Sequence, residues 1–187
     1  DVTLNLDSTQ VGELTGSGMA GALKTSGIDQ LNINMLDGDA SAVDGLQFSD
    51  ELNSLLSAGN LSGLTALDRA GLKAVVDLGG ATHVNATITE AQAEGLIGAG
   101  LEFAGTDTIT LDVDVGASAG GTHLSTSLKD LQKLGVDVVS VAGAAVGQDL
   151  SVQLGEGDFA LTGLPKFEDG LDVTLNLDGT QVGELLG

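Results

Sequence analysis

The chain has 187 residues, enough for a domain with a real core. It carries 27 acidic against 6 basic residues, a formal charge of −21, yet only 18% of its residues are charged and its mean hydropathy is positive. That combination describes a folded acidic protein rather than a disordered acidic tail, and it excludes binders of nucleic acid or of anionic membranes, which need a positive footprint.

Other absences narrow the class. With no Cys, the chain has no disulfide, thiolate metal site or Cys nucleophile. No apolar run approaches the roughly 18 residues of a membrane helix, so membrane insertion is not expected. Four Phe, with no Tyr or Trp, leave little material for sites that stack sugars or bases.

In chain order, residues 2–6 alternate and predict a strand, and spacings of three and four over 11–25 predict a helix. A strand follows at 28–33, then helices at 49–58 and 65–73. Residues 83–88 predict a strand, 89–100 a helix and 108–113 another strand. A helix at 125–134 precedes strands at 136–141, 150–154 and 159–161. Ser49 and Thr89 are hydroxyl caps at helix starts, with Gln92 at capping-box spacing from Thr89. Gly27, Gly59, Gly100 and Gly135 are read as helix stops.

Two repeats overlie this pattern. Residues 1–16 return as 172–187 with 14 of 16 positions identical; only Ser8/Gly179 and Thr15/Leu186 differ. The offset of 171 predicts that 1–171 is one full period of a tandem array and 172–187 the start of the next. Within that period, 23–33 parallels 131–141: a helix end, Gly, an apolar residue, Asp, then an alternating strand. Residues 70–78 are a looser relative. A helix followed at once by a strand, repeated, calls for parallel strands joined by crossovers. The expected fold is therefore mixed α/β, a solenoid-like stack of helix–strand units. An additional β-rich segment at 141–178 is expected to include antiparallel sheet.

Residues 88–113 (ITEAQAEGLIGAGLEFAGTDTITLDV) and 128–139 (LKDLQKLGVDVV) resemble repeats of very large proteobacterial surface proteins. The resemblance covers roughly residues 83–141, extends more loosely to 19–35, and implies an exported, adhesin-like protein at the bacterial cell surface. The glycine- and aspartate-rich nonapeptide that binds calcium in the repeats-in-toxin class is absent, so calcium binding is not carried over with it.

Calcium enters instead from the residues themselves. Asp37, Asp39 and Asp44 place three carboxylates in a Gly-containing stretch, and hard oxygen ligands in a flexible loop suit Ca²⁺. Phe48 stands where an EF-hand would need Glu. Asp107, Asp112 and Asp114 form a second cluster, with Asp112 and Asp114 on one strand face. A solvated turn and a solvated strand face are the alternative for these clusters. His83 and His123, each beside a Thr, read as surface or capping residues, and no Ser-His-Asp grouping is present. The expectation is a non-enzymatic structural module of a filament, tubular appendage or stalk, extracellular, with copies of itself as partner. The alternative is a calcium-dependent adhesive module.

Overall fold

The computed structural model describes residues 2–15, 19–35, 45–78, 84–115, 122–143, 148–155, 158 and 163–186. The chain is mixed α/β with three parallel sheets, and it divides into two compact units: 1–86 with 91–108, and 87–90 with 109–187.

In the first unit, strands β1 (Thr3–Asp7), β2 (Gln30–Asn34), β3 (Lys73–Asp77) and β5 (Leu101–Phe103) form a sheet in that order. Helices α1 (Ser8–Thr15) and α2 (Ala20–Thr25) connect β1 to β2; α3 (Gly45–Leu55) and α4 (Ala58–Arg69) lie between β2 and β3. Helix α5 (Glu90–Gly98) precedes β5. Leu31, Ile33 and Val76 on the sheet are buried, as are Val11, Leu23, Phe48, Leu52, Leu64, Leu67 and Leu96 on the helices. Burying one such aliphatic side chain contributes about 1.5–3 kcal/mol, so this core rather than any single polar contact holds the unit together.

The second unit pairs β4 (Asn85–Thr89), β6 (Thr108–Val113), β8 (Val138–Val141) and β10 (Lys166–Phe167) in one sheet, order β10-β8-β6-β4. A third sheet has the order β11-β9-β7, built from β7 (Thr122–Leu124), β9 (Asp149–Gln153) and β11 (Asp172–Asn176). Helix α6 (Leu128–Leu134) buries Leu128, Leu131 and Leu134 along one face, and α7 (Gly179–Leu186) follows β11.

One local device recurs where helix meets strand. Gly27, Gly71, Gly100 and Gly135 all have positive φ, between 71° and 95°, a conformation that side chains with a Cβ resist. At Gly27, Gly71 and Gly135 the next apolar residue donates its N–H five residues back: Ile28 to Leu23, Leu72 to Leu67, Val136 to Leu131. Those bonds cap the helix and turn the chain into the strand. Residues 70–78 share that helix–Gly–apolar turn, with Lys73 where the other two have Asp: the helix expected over 65–73 occupies Ala58–Arg69, and Lys73 opens a strand. Gly59, expected as a stop, instead lies in the first turn of α4.

The ladders step along the chain at nearly constant intervals. Leu4 pairs with Leu31 and Ala74 with Leu101, an interval of 27 that the Val2–Asp29 hydrogen bond also spans. Thr110 pairs with Val138, Thr122 with Leu150 and Val138 with Lys166, an interval of 28 shared by the Asp112–Ser140 hydrogen bond. The step from β2 to β3, Gln30 to Lys73, is longer because it contains the extra helix α3. From β9 to β11 the step shortens to 23, the separation of Gln153 and Asn176.

The antiparallel sheet expected over 141–178 is corrected. Strands β9, β10 and β11 do follow one another there without a described helix, but β9 pairs with β11 and β10 with β8, each in parallel. The reason is the routing. After β3 each strand joins a different sheet from the strand before it, so a strand of one sheet serves as part of the crossover for another. The strand expected at 159–161 lies outside the described residues.

Candidate functional site

Several acidic side chains accept main-chain and hydroxyl hydrogens. Asp29 Oδ2 accepts the N–H of Val2 at 3.3 Å, and Asp137 Oδ2 that of Ile109 at 2.9 Å. These are the aspartates of the Gly–apolar–Asp repeat, and each secures the start of the neighbouring strand. Glu90 Oε1 gathers the N–H and Oγ of Ser125 at 2.7 and 2.6 Å, with the N–H and Oγ1 of Thr126 at 3.0 and 3.2 Å. Asp158 accepts the N–H groups of Gly155 at 2.6 Å and Lys129 at 3.2 Å. Charge-assisted bonds of this kind are the stronger class of hydrogen bond. Lys73 and Glu102 form an ion pair 2.7 Å apart; it is partly exposed and contributes little.

The expected cation ligands are placed unevenly. Asp37, Asp39, Asp44 and His83 lie outside the described residues. Asp112 sits half-buried on β6 and accepts a 2.6 Å bond from Ser140 Oγ, its partner across the ladder to β8. Asp114 lies just beyond the strand and is exposed, while Ile109, Leu111 and Val113 are buried on the other face. Asp107 does not extend that row: it is buried and accepts the N–H groups of Leu78 and Val84 at 3.4 Å each. Among the described residues no three His, Asp or Glu side chains converge on a point where a metal would sit. His123 is exposed on β7 opposite Ser151.

A small pocket of about 160 Å³ opens at the carboxyl ends of β1 and β2, lined by Asp7, Ser8, Thr9, Asn34, Met35 and Glu51. Parallel sheets commonly bind ligands at this end. Here the pocket is polar and holds two carboxylates.

The segment present twice has the richest geometry. In the first copy the Asp7 N–H donates to Gln10 Oε1 at 3.0 Å and the Gln10 N–H to Asp7 Oδ1 at 2.7 Å. In the second, Asp178 and Gln181 make the same reciprocal bonds at 2.7 and 2.9 Å. This is a capping box with Asp and Gln in place of the usual hydroxyl and Glu. Reading the sequence for hydroxyl caps alone passes over it; Asp-x-x-Gln before an apolar run is the signal that marks it. Gln92, at capping-box spacing from Thr89, also donates Nε2 across to α3, to Asn53 Oδ1 at 3.0 Å.

The two copies differ in what covers them. Val11 is 1% exposed, whereas its counterpart Val182 is 42% exposed. The order reverses for the glutamine: Gln10 is exposed, while Gln181 is 4% exposed and donates Nε2 to the carbonyl of Leu154 at 2.5 Å. Asn176 Nδ2 likewise reaches Ser151 Oγ at 2.6 Å. No protein family, curated protein or solved structure matches this chain.

Proposed function

We propose that this chain is a structural repeat module of an exported, acidic bacterial surface protein, and that its helix–strand units stack as a solenoid into a filament, tubular appendage or stalk. The observation that carries the reading is the recurrence of residues 1–16 at 172–187, each copy folded as the same strand and the same capped helix. A segment that recurs 171 residues along the chain lets length grow by copy number. The near-constant ladder steps, from Leu4 to Leu31 and from Thr110 to Val138 alike, support the stack, since each parallel strand offers its open edge to the next. On this reading the chain is not an enzyme, and its partners are copies of itself at the cell surface. Calcium, held by Asp37, Asp39 and Asp44 or by Asp112 and Asp114, is its candidate cofactor.

Electron microscopy of the native material, with and without a calcium chelator, tests the proposal. Regular filaments with an axial repeat are the expected result. Loss of the filaments on chelation would assign the aspartates as cation sites; their survival would leave salt to screen the charge. Single particles in both conditions overturn the reading.

A further inference from the structure

We infer that residues 2–7 and 173–178 are two half-paired copies of one shared strand, and that the missing half of each is supplied by a second copy of this sequence. The inference rests on the repeat reading above and specifies the joint.

The main chain carries the argument. In a parallel ladder, alternate residues direct their N–H and C=O groups to one edge and the intervening residues to the other. The Val2 carbonyl accepts the N–H of Asp29 at 3.0 Å and of Gln30 at 3.3 Å, so Val2, Leu4 and Leu6 face β2. Thr3, Asn5 and Asp7 face the other edge, where no strand lies among the described residues. In the second copy the Asp172 N–H donates to the Gln148 carbonyl at 3.0 Å, and the Asn176 carbonyl accepts from Leu154 at 3.1 Å. There Asp172, Thr174 and Asn176 face β9, and Val173, Leu175 and Leu177 face an edge with no described strand. In the repeat, Val173, Leu175 and Leu177 correspond to Val2, Leu4 and Leu6. The main-chain groups left over at Thr3 and Asn5 are those used at Thr174 and Asn176, and those left over at Val173 and Leu175 are those used at Val2 and Leu4. Had the two copies used the same edge, a shared strand would be impossible.

Side chains agree independently. Val182 and Leu175 are exposed, 42% and 49%, while their counterparts Val11 and Leu4 are covered wholly and partly. Val2 is exposed, and its counterpart Val173 is partly covered. Gln181 and Asn176 hold the preceding strand through Leu154 and Ser151, whereas α1 in the first copy packs against α3 and α4. One segment with both sets of neighbours has its apolar side chains covered and its main chain paired on both edges. The sheets then fuse into one of six parallel strands, β7-β9-β11-β2-β3-β5, in which β11 doubles as β1 of the following copy. The step into the joint, Gln153 to Asn176, and the step out of it, Leu4 to Leu31, are close enough to keep the spacing of the ladders.

The test uses the 187-residue chain beside a chain in which a second copy of residues 1–187 follows residue 171, with amide hydrogen exchange read residue by residue. In the single chain, Leu4, Leu6, Thr174 and Asn176 should exchange slowly and Asn5, Val173 and Leu175 quickly. At the internal joint of the double chain, Val173, Leu175 and Leu177 should slow by about tenfold or more, while Thr174 and Asn176 keep their protection. Unchanged exchange at Val173 and Leu175 overturns the joint. Leu175→Pro, placed at the internal joint, gives a second reading. It should leave the single chain's melting midpoint unaltered but remove the added protection in the double chain; an equal loss in both chains overturns the inference. Failure is separable from that of the functional reading: filaments without protection at the joint mean beads on a string, and protection without filaments means a joint that builds no appendage.

Discussion

Gly100 shows how much rests on single backbone positions. Its φ is +71°, and an added Cβ would lie 2.5 Å from Asp68 Cγ, so Gly100→Ala meets both a strained conformation and a clash. A loss of about 2 kcal/mol or more is expected in denaturant unfolding. Gly98, two residues earlier and still helical, has nothing within 4 Å of the same position, and Gly98→Ala should be neutral or stabilise by up to about 1 kcal/mol. Equal effects at the two sites would refute this account of the helix-to-strand turn. Glu90 makes the second case. Glu90→Ala strands four donors of Ser125 and Thr126 and should cost about 1–3 kcal/mol, read as a lower urea midpoint with unchanged slope.

At the scale of elements, the two copies of the strand should respond to proline in opposite phase. Proline removes one N–H, which matters only where that N–H meets a neighbour. Leu4→Pro should lower the melting midpoint of the single chain and Thr3→Pro leave it nearly unchanged; in the second copy Thr174→Pro should be harmful and Val173→Pro mild. Matching phases in both copies would contradict the observed registers. The capping boxes are an element-scale device as well. Asp7→Ala should cost about 1 kcal/mol through the start of α1. Alternation and helical spacing made most of these elements legible, because a buried face repeats every two residues in a strand and every three or four in a helix. Short strands such as Leu101–Phe103 and Thr122–Leu124 were not, since three residues hardly define a period.

Over the whole molecule the charge of −21 sets the conditions under which the fold is comfortable. Self-repulsion weakens as salt shortens the screening length from about 30 Å at 0.01 M to about 10 Å at 0.1 M. The melting midpoint should therefore climb with NaCl and level off. A flat midpoint across that range would show that the acidic groups are already offset by their main-chain donors. The sequence by itself determined the class of fold, the helix–Gly–apolar–Asp–strand unit and the recurrence of 1–16 at 172–187, because these depend on periodicity and on turn chemistry within a few positions. It placed Asp112 and Asp114 on a strand face opposite the apolar row, but Ser140, the partner of Asp112, comes from a strand distant in the chain. Only the tertiary structure decided that the strands after β3 alternate between sheets, that β9, β10 and β11 pair in parallel, and which edge each copy of the repeated strand uses. Those choices belong to long-range pairing: a strand's side-chain pattern tells which face is buried, whereas its edges are main chain and look alike in every sequence.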